Sequence, residues 1–414
     1  MTETLAGEVT DRGAIVPLVA TSGVQITASL TMFGVAVIAP VAAPDIGVEA
    51  TLIGTFTAIA YGSGMLGGLL TGAFCDRFGA IRVGQVTMIL AFFGVVLLAI
   101  SHPLAALLSA IVLGISYGPV NPFSTHILAR VVPVKSRPLF LSIKQSAQPA
   151  GTAIAGILLP FLVTLYDWRI AMLATGAIAC IAAVALQPLR RRLDAVRDRA
   201  RVIRAGSILE PIRLVWSEPR LRCLALSGFI LSGTQVSLAS FFVVYLTSEI
   251  ALTLSTAGLI FTVMQVGGVL GRLVWGGIAD RFLPANAVIT SLCAGTALLC
   301  AVTALFAAEW PVVTLGLLSF ALGATSHGWN GIFFSELIKF APEGTVGAAA
   351  SGAQFSTLAG LAVLPAVFGI VVTAGGGYDA AFLMLAIVVT VATVYMRLML
   401  AEIRDPPNTE RNRR

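Results

Sequence analysis

Two cations stand inside runs of apolar residues. Arg272 follows Val269-Leu270-Gly271 and precedes Leu273-Val274-Trp275, and Lys144 lies within Ser142-Ile143-Lys144-Gln145. Placing such a charge in hydrocarbon costs roughly 2.5–3.5 kcal/mol on insertion scales, so each is a functional candidate by default. A guanidinium presents a planar fork that grips a carboxylate through two parallel hydrogen bonds, and an ammonium acts as a point charge. The chemistry this offers is recognition of an anion. A blander reading stands beside it. Arg272 has Gly268 and Gly276 one turn to either side, so it could lie on a packing stripe and hold a structural hydrogen bond. Lys144, about a turn and a half inside its run, could snorkel to water.

Further polar and aromatic groups fall at mid-depth in apolar runs: Gln25, Tyr61, Tyr117, Asn121, Gln145, Gln148, Gln235, Gln265, His327, Trp329, Asn330 and Gln354. Each could line a cavity, or make an interhelical hydrogen bond worth on average about 0.6 kcal/mol. Asn121 with Asn330 and Gln145 with Gln354 stand out, because both pairs are 209 residues apart. Nothing in the sequence suggests an enzyme, a metal or a cofactor. Cys75, Cys180, Cys223, Cys293 and Cys300 lack metal-ligand or disulfide spacing, and no phosphate-binding Gly-x-x-x-x-Gly-Lys-Ser loop occurs.

The elements that must position these residues follow from composition. The chain is 57% hydrophobic and 11% charged, against about 25% charged in ordinary soluble domains. Its apolar runs reach lengths that cross a hydrocarbon core of about 30 Å. Twelve spans are expected, near 15–40, 51–74, 83–101, 104–128, 139–165, 169–188, 221–247, 254–278, 285–307, 311–338, 347–373 and 380–402. They lack period-2 alternation, so the fold class is an all-α membrane protein. The net charge of +6 reports topology rather than a nucleic-acid partner. Of 26 Lys and Arg, Arg169 alone falls in an outer loop and Arg272 and Lys144 fall within spans, leaving 23 on one side. By the positive-inside rule both termini face the cytoplasm, and the first span, too long for a cleaved signal core, stays as an anchor.

The chain is also written twice. Gly54, Gly64, Gly67, Gly72, Asp76, Arg77 and Phe78 match Gly258, Gly268, Gly271, Gly276, Asp280, Arg281 and Phe282 at an offset of 204. Gly114, Asn121, Leu128, Pro133, Ser142, Gln145 and Gly151 match Gly323, Asn330, Leu337, Pro342, Ser351, Gln354 and Gly360 at 209. The expected organisation is a six-helix bundle over 1–188, a cytoplasmic linker over 189–220 and a second bundle with its tail over 221–414, the two related by a pseudo-twofold axis. Arg190-Arg191-Arg192, Arg197, Arg199, Arg201 and Arg204 make the linker basic, as a solvated tether or as an amphipathic helix against an anionic leaflet. Pro119, Pro122, Pro149, Pro160 and Pro365 mark bends.

The loop Gly72-x-x-x-Asp76-Arg77-x-Gly79, its weaker twin Gly276-x-x-x-Asp280-Arg281, and the twelve-span, two-half layout resemble the major facilitator superfamily over essentially the whole chain. Asp167-Trp168-Arg169 is similar to the Gly-Trp-Arg turn often found before span six, with Asp in place of Gly. The resemblance implies alternating access, with Gly72, Asp76, Arg77, Gly79, Arg82, Gly276, Asp280 and Arg281 in a cytoplasmic gate. Gly64, Gly68 and Gly72 form a bare stripe along span two, and Asp76 could accept from a helix N-terminus or pair with Arg77 or Arg82. Arg272 resembles the substrate-anion arginine of oxalate/formate antiporters, monocarboxylate transporters and nitrate porters. The partners those branches add are absent, since the repeat places Gly68 opposite Arg272 and Gln354 stands where a lysine would in span eleven. The expected function is a secondary transporter of a small organic anion, a carboxylate first, in the inner membrane. A coupling proton would ride on the substrate, on His126 or on His327. The competing reading is a drug/proton antiporter, which would want an arginine within Ala110–Gly114 and finds none.

Overall fold

The computed structural model describes residues 11–133, 136–194, 209–342 and 345–404, which form helices joined by short connections. The first crossings are α1 (Asp11–Ile46), α2 (Ile53–Phe78), α3 (Ala80–Ala99), the pair α4 (Pro103–Tyr117) and α5 (Val120–Val131), α6 (Arg137–Leu165) and α7 (Trp168–Ala185). Two short helices follow, α8 (Arg190–Leu193) and α9 (Leu209–Ser217). The later crossings are α10 (Pro219–Ser248), α11 (Leu254–Arg281), α12 (Ala285–Thr303), the pair α13 (Val312–His327) and α14 (Asn330–Phe340), α15 (Val346–Val371) and α16 (Gly377–Arg404).

Ten stretches among the described residues are long and apolar enough to cross a bilayer. The α2 segment makes an eleventh, bent by 48° between Gly68 and Leu70. One of the ten, Ala349–Leu398, holds two helices, because Gly375 (φ +93°) and Gly377 (φ +64°) turn the chain between α15 and α16. The sum is the twelve crossings that the apolar runs require. Their ends carry ordinary stop signals. Gly79 takes φ +100° between α2 and α3, and Pro103 opens α4 after Ser101 at φ +57°. The fourth and tenth crossings each break in mid-course, at Gly118-Pro119 and at Gly328-Trp329. The two breaks fall within one residue of each other in the repeat register, and only the first was legible from proline.

The described chain packs as two compact units. One holds Met1–Gly206 with Ala239–Val266, the other Ser207–Leu238 with Gly267–Arg414. Residues 239–266 therefore pack with the N-terminal helices, which a simple division at the linker does not anticipate. Glycine is the reason. A Cβ on Gly258 would stand 2.2 Å from the Gly156 carbonyl, so only bare backbones approach this closely. Thr262 donates to the Ala153 carbonyl at 2.9 Å, and Thr57 meets Ser240 at 3.0 Å.

Within the first unit α2 and α4 pack through their glycines. A Cβ on Gly64 would meet the Gly114 carbonyl at 3.0 Å, one on Gly67 the Ile115 carbonyl at 2.9 Å, and one on Gly118 the Gly64 carbonyl at 2.0 Å. In the second unit Gly267, Gly268 and Gly271 lie in the same way against Phe320, His327 and Ala324 of α13. The bare stripe stops there. Gly72 and Gly276 have nothing within 4 Å of a Cβ, so the close approach expected at Gly72 ends at Gly68. The late part of the linker is also packed: the Pro211 carbonyl and Val215 of α9 lie against Gly352 of α15. Arg197, Arg199, Arg201 and Arg204 lie outside the described residues.

Candidate functional site

Lys144 is 1% exposed, and two amide oxygens hold its ammonium. It donates to Gln25 Oε1 of α1 at 3.1 Å and to Asn121 Oδ1 of α5. Snorkelling is thus replaced by burial among three helices of one unit. Gln25 is itself fixed, donating through Nε2 to Ser29 at 3.3 Å. Beyond Gln25 on α1, Phe33 meets the Tyr117 ring edge-on at 6.3 Å, and Tyr117 meets Tyr61 at 5.9 Å. Tyr61 is buried, while Gln145 and Gln148 are half-buried beside Lys144 in sequence. Asn121 is exposed, so the polar cluster has one open edge. In the same unit Gln265 is 1% exposed, and its amide nitrogen has no hydrogen-bond partner among the described residues. A buried donor of that kind costs about 1–3 kcal/mol until something accepts from it.

The Asp76 loop lies at the far end of α5. Asp76 stands 3.5 Å from Arg130 and 3.7 Å from His126, both on α5. Arg77 lies over the Phe78 ring at 5.4 Å, and Arg82 donates to Gln85 at 3.1 Å. A different acid, Asp194, serves the helix N-terminus where α3 begins. That buried carboxylate accepts from Ile81 N at 2.9 Å and Arg82 N at 3.3 Å. Two free N–H groups and the positive end of the α3 dipole favour an anion there. Gly79 leaves the room, since a Cβ on it would strike Asp194 at 2.3 Å. In the sequence Asp194 is one acid within the arginine-rich linker, with no local signal that it caps a helix.

In the second unit Arg272 is half-buried and donates through Nε to the His327 carbonyl at 3.2 Å. That carbonyl is the last of α13, where the helix dipole is negative and favours a cation. Its neighbours are the glycine face of α11 and the His327 ring, which is 2% exposed and bonded to the Gly323 carbonyl and to Ser326. Trp329, buried at the break, packs edge-on against Phe333. Asn330 and Gln354 are half-buried, and Arg281 is exposed. Asp280 lies in the last turn of α11, with its side chain outside the described set.

At the end of the first unit remote from Asp76, Arg169 has partners on three junctions. It donates to Asp167 at 2.8 Å, reaches Asp45 at 3.0 Å, and donates through Nε to Ser101 Oγ at 2.7 Å. Trp168 adds a bond from its indole nitrogen to Asp45 at 2.9 Å and lies beneath the guanidinium at 4.6 Å. The sequence flagged Asp167-Trp168-Arg169 but not Asp45, in the last turn of α1, or Ser101, between α3 and α4.

Comparison with known proteins places this architecture. A family model described as Major Facilitator Superfamily matches residues 21–355 and 225–414. The chain is 25% identical to a gallate transporter of Pseudomonas putida, over 79% of this chain and 80% of that one. It is 24% identical to a cis,cis-muconate transport protein of Acinetobacter baylyi, over 87% of each. In fold alone it is similar to the crystal structure of the nucleoside transporter NupG, with a TM-score of 0.74 at 15% identity over 93% of this chain and 99% of that one.

Proposed function

The chain belongs to the Major Facilitator Superfamily, and on that footing we propose that it is a secondary transporter moving a small carboxylate by alternating access. Lys144 carries this reading: a buried ammonium that donates to two neutral amide oxygens, those of Gln25 and Asn121. An arriving carboxylate offers a stronger acceptor than either amide, because charge-assisted hydrogen bonds are roughly twice as strong as neutral ones. Gln25 and Asn121 then yield to it, or share the ammonium with it. Tyr117, Tyr61 and Phe33 supply aromatic faces nearby for the body of the substrate, and Gln265 supplies an unused donor. The relatives support the same class, since gallate and cis,cis-muconate are both small organic acids. The reading includes inner-membrane placement with both termini in the cytoplasm, from the distribution of Lys and Arg. It also includes a coupling proton carried by His126, 3.7 Å from Asp76.

The test is a ligand panel on the purified protein. Gallate and cis,cis-muconate should raise the melting temperature in proportion to the logarithm of their concentration, as ligands of the folded state do. Lipophilic cations should not. Stabilisation by the cations alone would transfer the protein to the drug-efflux class.

A further inference from the structure

The half-helix α5 touches both functional clusters of its unit. Near its start Asn121 accepts from Lys144, and near its end His126 and Arg130 face Asp76. It is separated from α4 by Gly118-Pro119. The backbone at that point is weak for a chemical reason. An α-helix would bond the Gly118 carbonyl to the N–H of residue 122, and residue 122 is proline, which has none.

The internal repeat supplies the contrast. Gly118 corresponds to His327 at the offset of 209, and Gly68 corresponds to Arg272 at the offset of 204. The geometry keeps that correspondence. A Cβ on Gly68 would lie 3.3 Å from the Gly118 carbonyl, and Arg272 bonds the His327 carbonyl at 3.2 Å. Pro122 corresponds to Gly331, which retains its N–H. The break in span ten therefore has a cation pinned across it and an available backbone donor. Among the described residues the equivalent break in span four shows neither, and a bare glycine, Gly68, faces it.

We infer that α5 is a lever hinged at Gly118-Pro119, which carries the state of Lys144 to the Asp76 loop, and that Arg272 is a positioning residue that keeps its counterpart α14 from moving likewise. The lever rests on the transport reading only in naming what occupies Lys144. When a carboxylate takes the ammonium, Asn121 is released and α5 swings, loading the Asp76 contacts with Arg130 and His126. With 12 residues the helix is about 18 Å long, so a rotation of about 10° moves its far end by about 3 Å.

The experiment measures that end directly. Spin labels on Ala129→Cys of α5 and Val86→Cys of α3, in the full chain with its native cysteines replaced by alanine, report the distance by pulsed resonance. Both positions are exposed. In the ligand-free protein, Lys144→Met and Asn121→Ala should each shift or broaden the distribution by about 3 Å. Adding Pro122→Ala, which restores the missing donor, should return it toward the parent. Gallate should reproduce the shift in the parent and add nothing in Asn121→Ala, at a gallate concentration that equilibrium binding on the same preparation shows to saturate each protein. Unchanged distributions in both Lys144→Met and Asn121→Ala overturn the lever, as does a gallate-induced shift of full size in Asn121→Ala. A shift with Lys144→Met, together with no shift on adding gallate or cis,cis-muconate to the parent, would support the lever and sink the substrate reading instead.

Discussion

Lys144→Met separates a binding role from a structural one, and its outcome can be worked out in advance. Methionine keeps a flexible chain of similar length and removes the charge. The hydrogen bonds from the ammonium to Gln25 and Asn121 are lost, at about 1.5–3 kcal/mol each. Against this, the desolvation of a nearly fully buried cation, several kcal/mol per ion, is regained. The amide of Gln25 keeps its bond to Ser29, and Asn121 stands at an exposed edge where water can take its oxygen. The opposing terms nearly cancel, so stability should change by no more than about 2 kcal/mol in either direction. Binding has no such compensation. Losing one charged hydrogen bond of about 1.5–3 kcal/mol raises Kd by about 10- to 150-fold. The assay pairs a melting curve with equilibrium binding of radiolabelled gallate on the same preparation. A variant that binds as the parent does would refute the assignment. So would one that loses more than about 4 kcal/mol of stability, since the ammonium would then be holding the bundle together rather than waiting for an anion.

Three further outcomes follow from the packing. Gly118→Ala drives a Cβ to 2.0 Å from the Gly64 carbonyl, and backbone cannot step aside, so it should cost at least about 2 kcal/mol. Gly72→Ala, with nothing within 4 Å, should stay within about 0.5 kcal/mol. Equal melting temperatures for the two would contradict the α2–α4 geometry. Arg169→Ala removes contacts to Asp45, Asp167 and Ser101 at once. The charged groups are open to solvent, which screens each ion pair. A small fall in melting temperature is expected, with Arg169→Lys recovering part of it, and a fall as large as that of Gly118→Ala would contradict the screening. Asp194→Asn weakens the anchorage of the α3 N-terminus and should cost about 1 kcal/mol in a melting curve. An unchanged melting temperature would mean that Ile81 and Arg82 find equal partners without the carboxylate.

The architecture was legible because it is dictated by solvent. Twelve apolar runs, an excess of Lys and Arg on one side and a repeated loop at Asp76 and Asp280 leave few alternatives for a chain in hydrocarbon. The contacts were less so, because periodicity ranks residues by depth and not by neighbour. Lys144 was visible as a charge, but nothing in its local sequence says that Gln25, 119 positions earlier, accepts from it. Asp76 was expected to serve a helix N-terminus, and Asp194 does so at α3. Both are acids beside arginines in sequence, and only the fold brings one of them to the start of that helix. The halving of α10 and α11 between units was hidden for a different reason. It depends on Gly156 meeting Gly258, and a glycine in an apolar run looks the same whether its partner is near in sequence or in the other repeat.

Where the two repeats agree they build scaffold, and where they differ they carry the asymmetric chemistry. Gly64 and Gly268 keep the same packing role, as do Gly67 and Gly271, each against the fourth helix of its own half. Lys144 has Ala353 as its counterpart, Arg272 has Gly68, and Pro122 has Gly331. Those three differences fall on one buried ammonium and on the two helix breaks. A duplicated protein with identical halves would bend equally in both and hold its substrate in neither half preferentially. Pinning one break with a guanidinium, while leaving the other without its proline-blocked donor, gives the two bundles unequal stiffness. The mobile half is then the one that holds the buried ammonium. If that division is right, Arg272→Met should lower turnover by freeing α14 while leaving the affinity for gallate within about threefold, a difference under about 0.7 kcal/mol. A loss of affinity as large as that of Lys144→Met would return Arg272 to the anion site and remove the reason for two kinds of hinge.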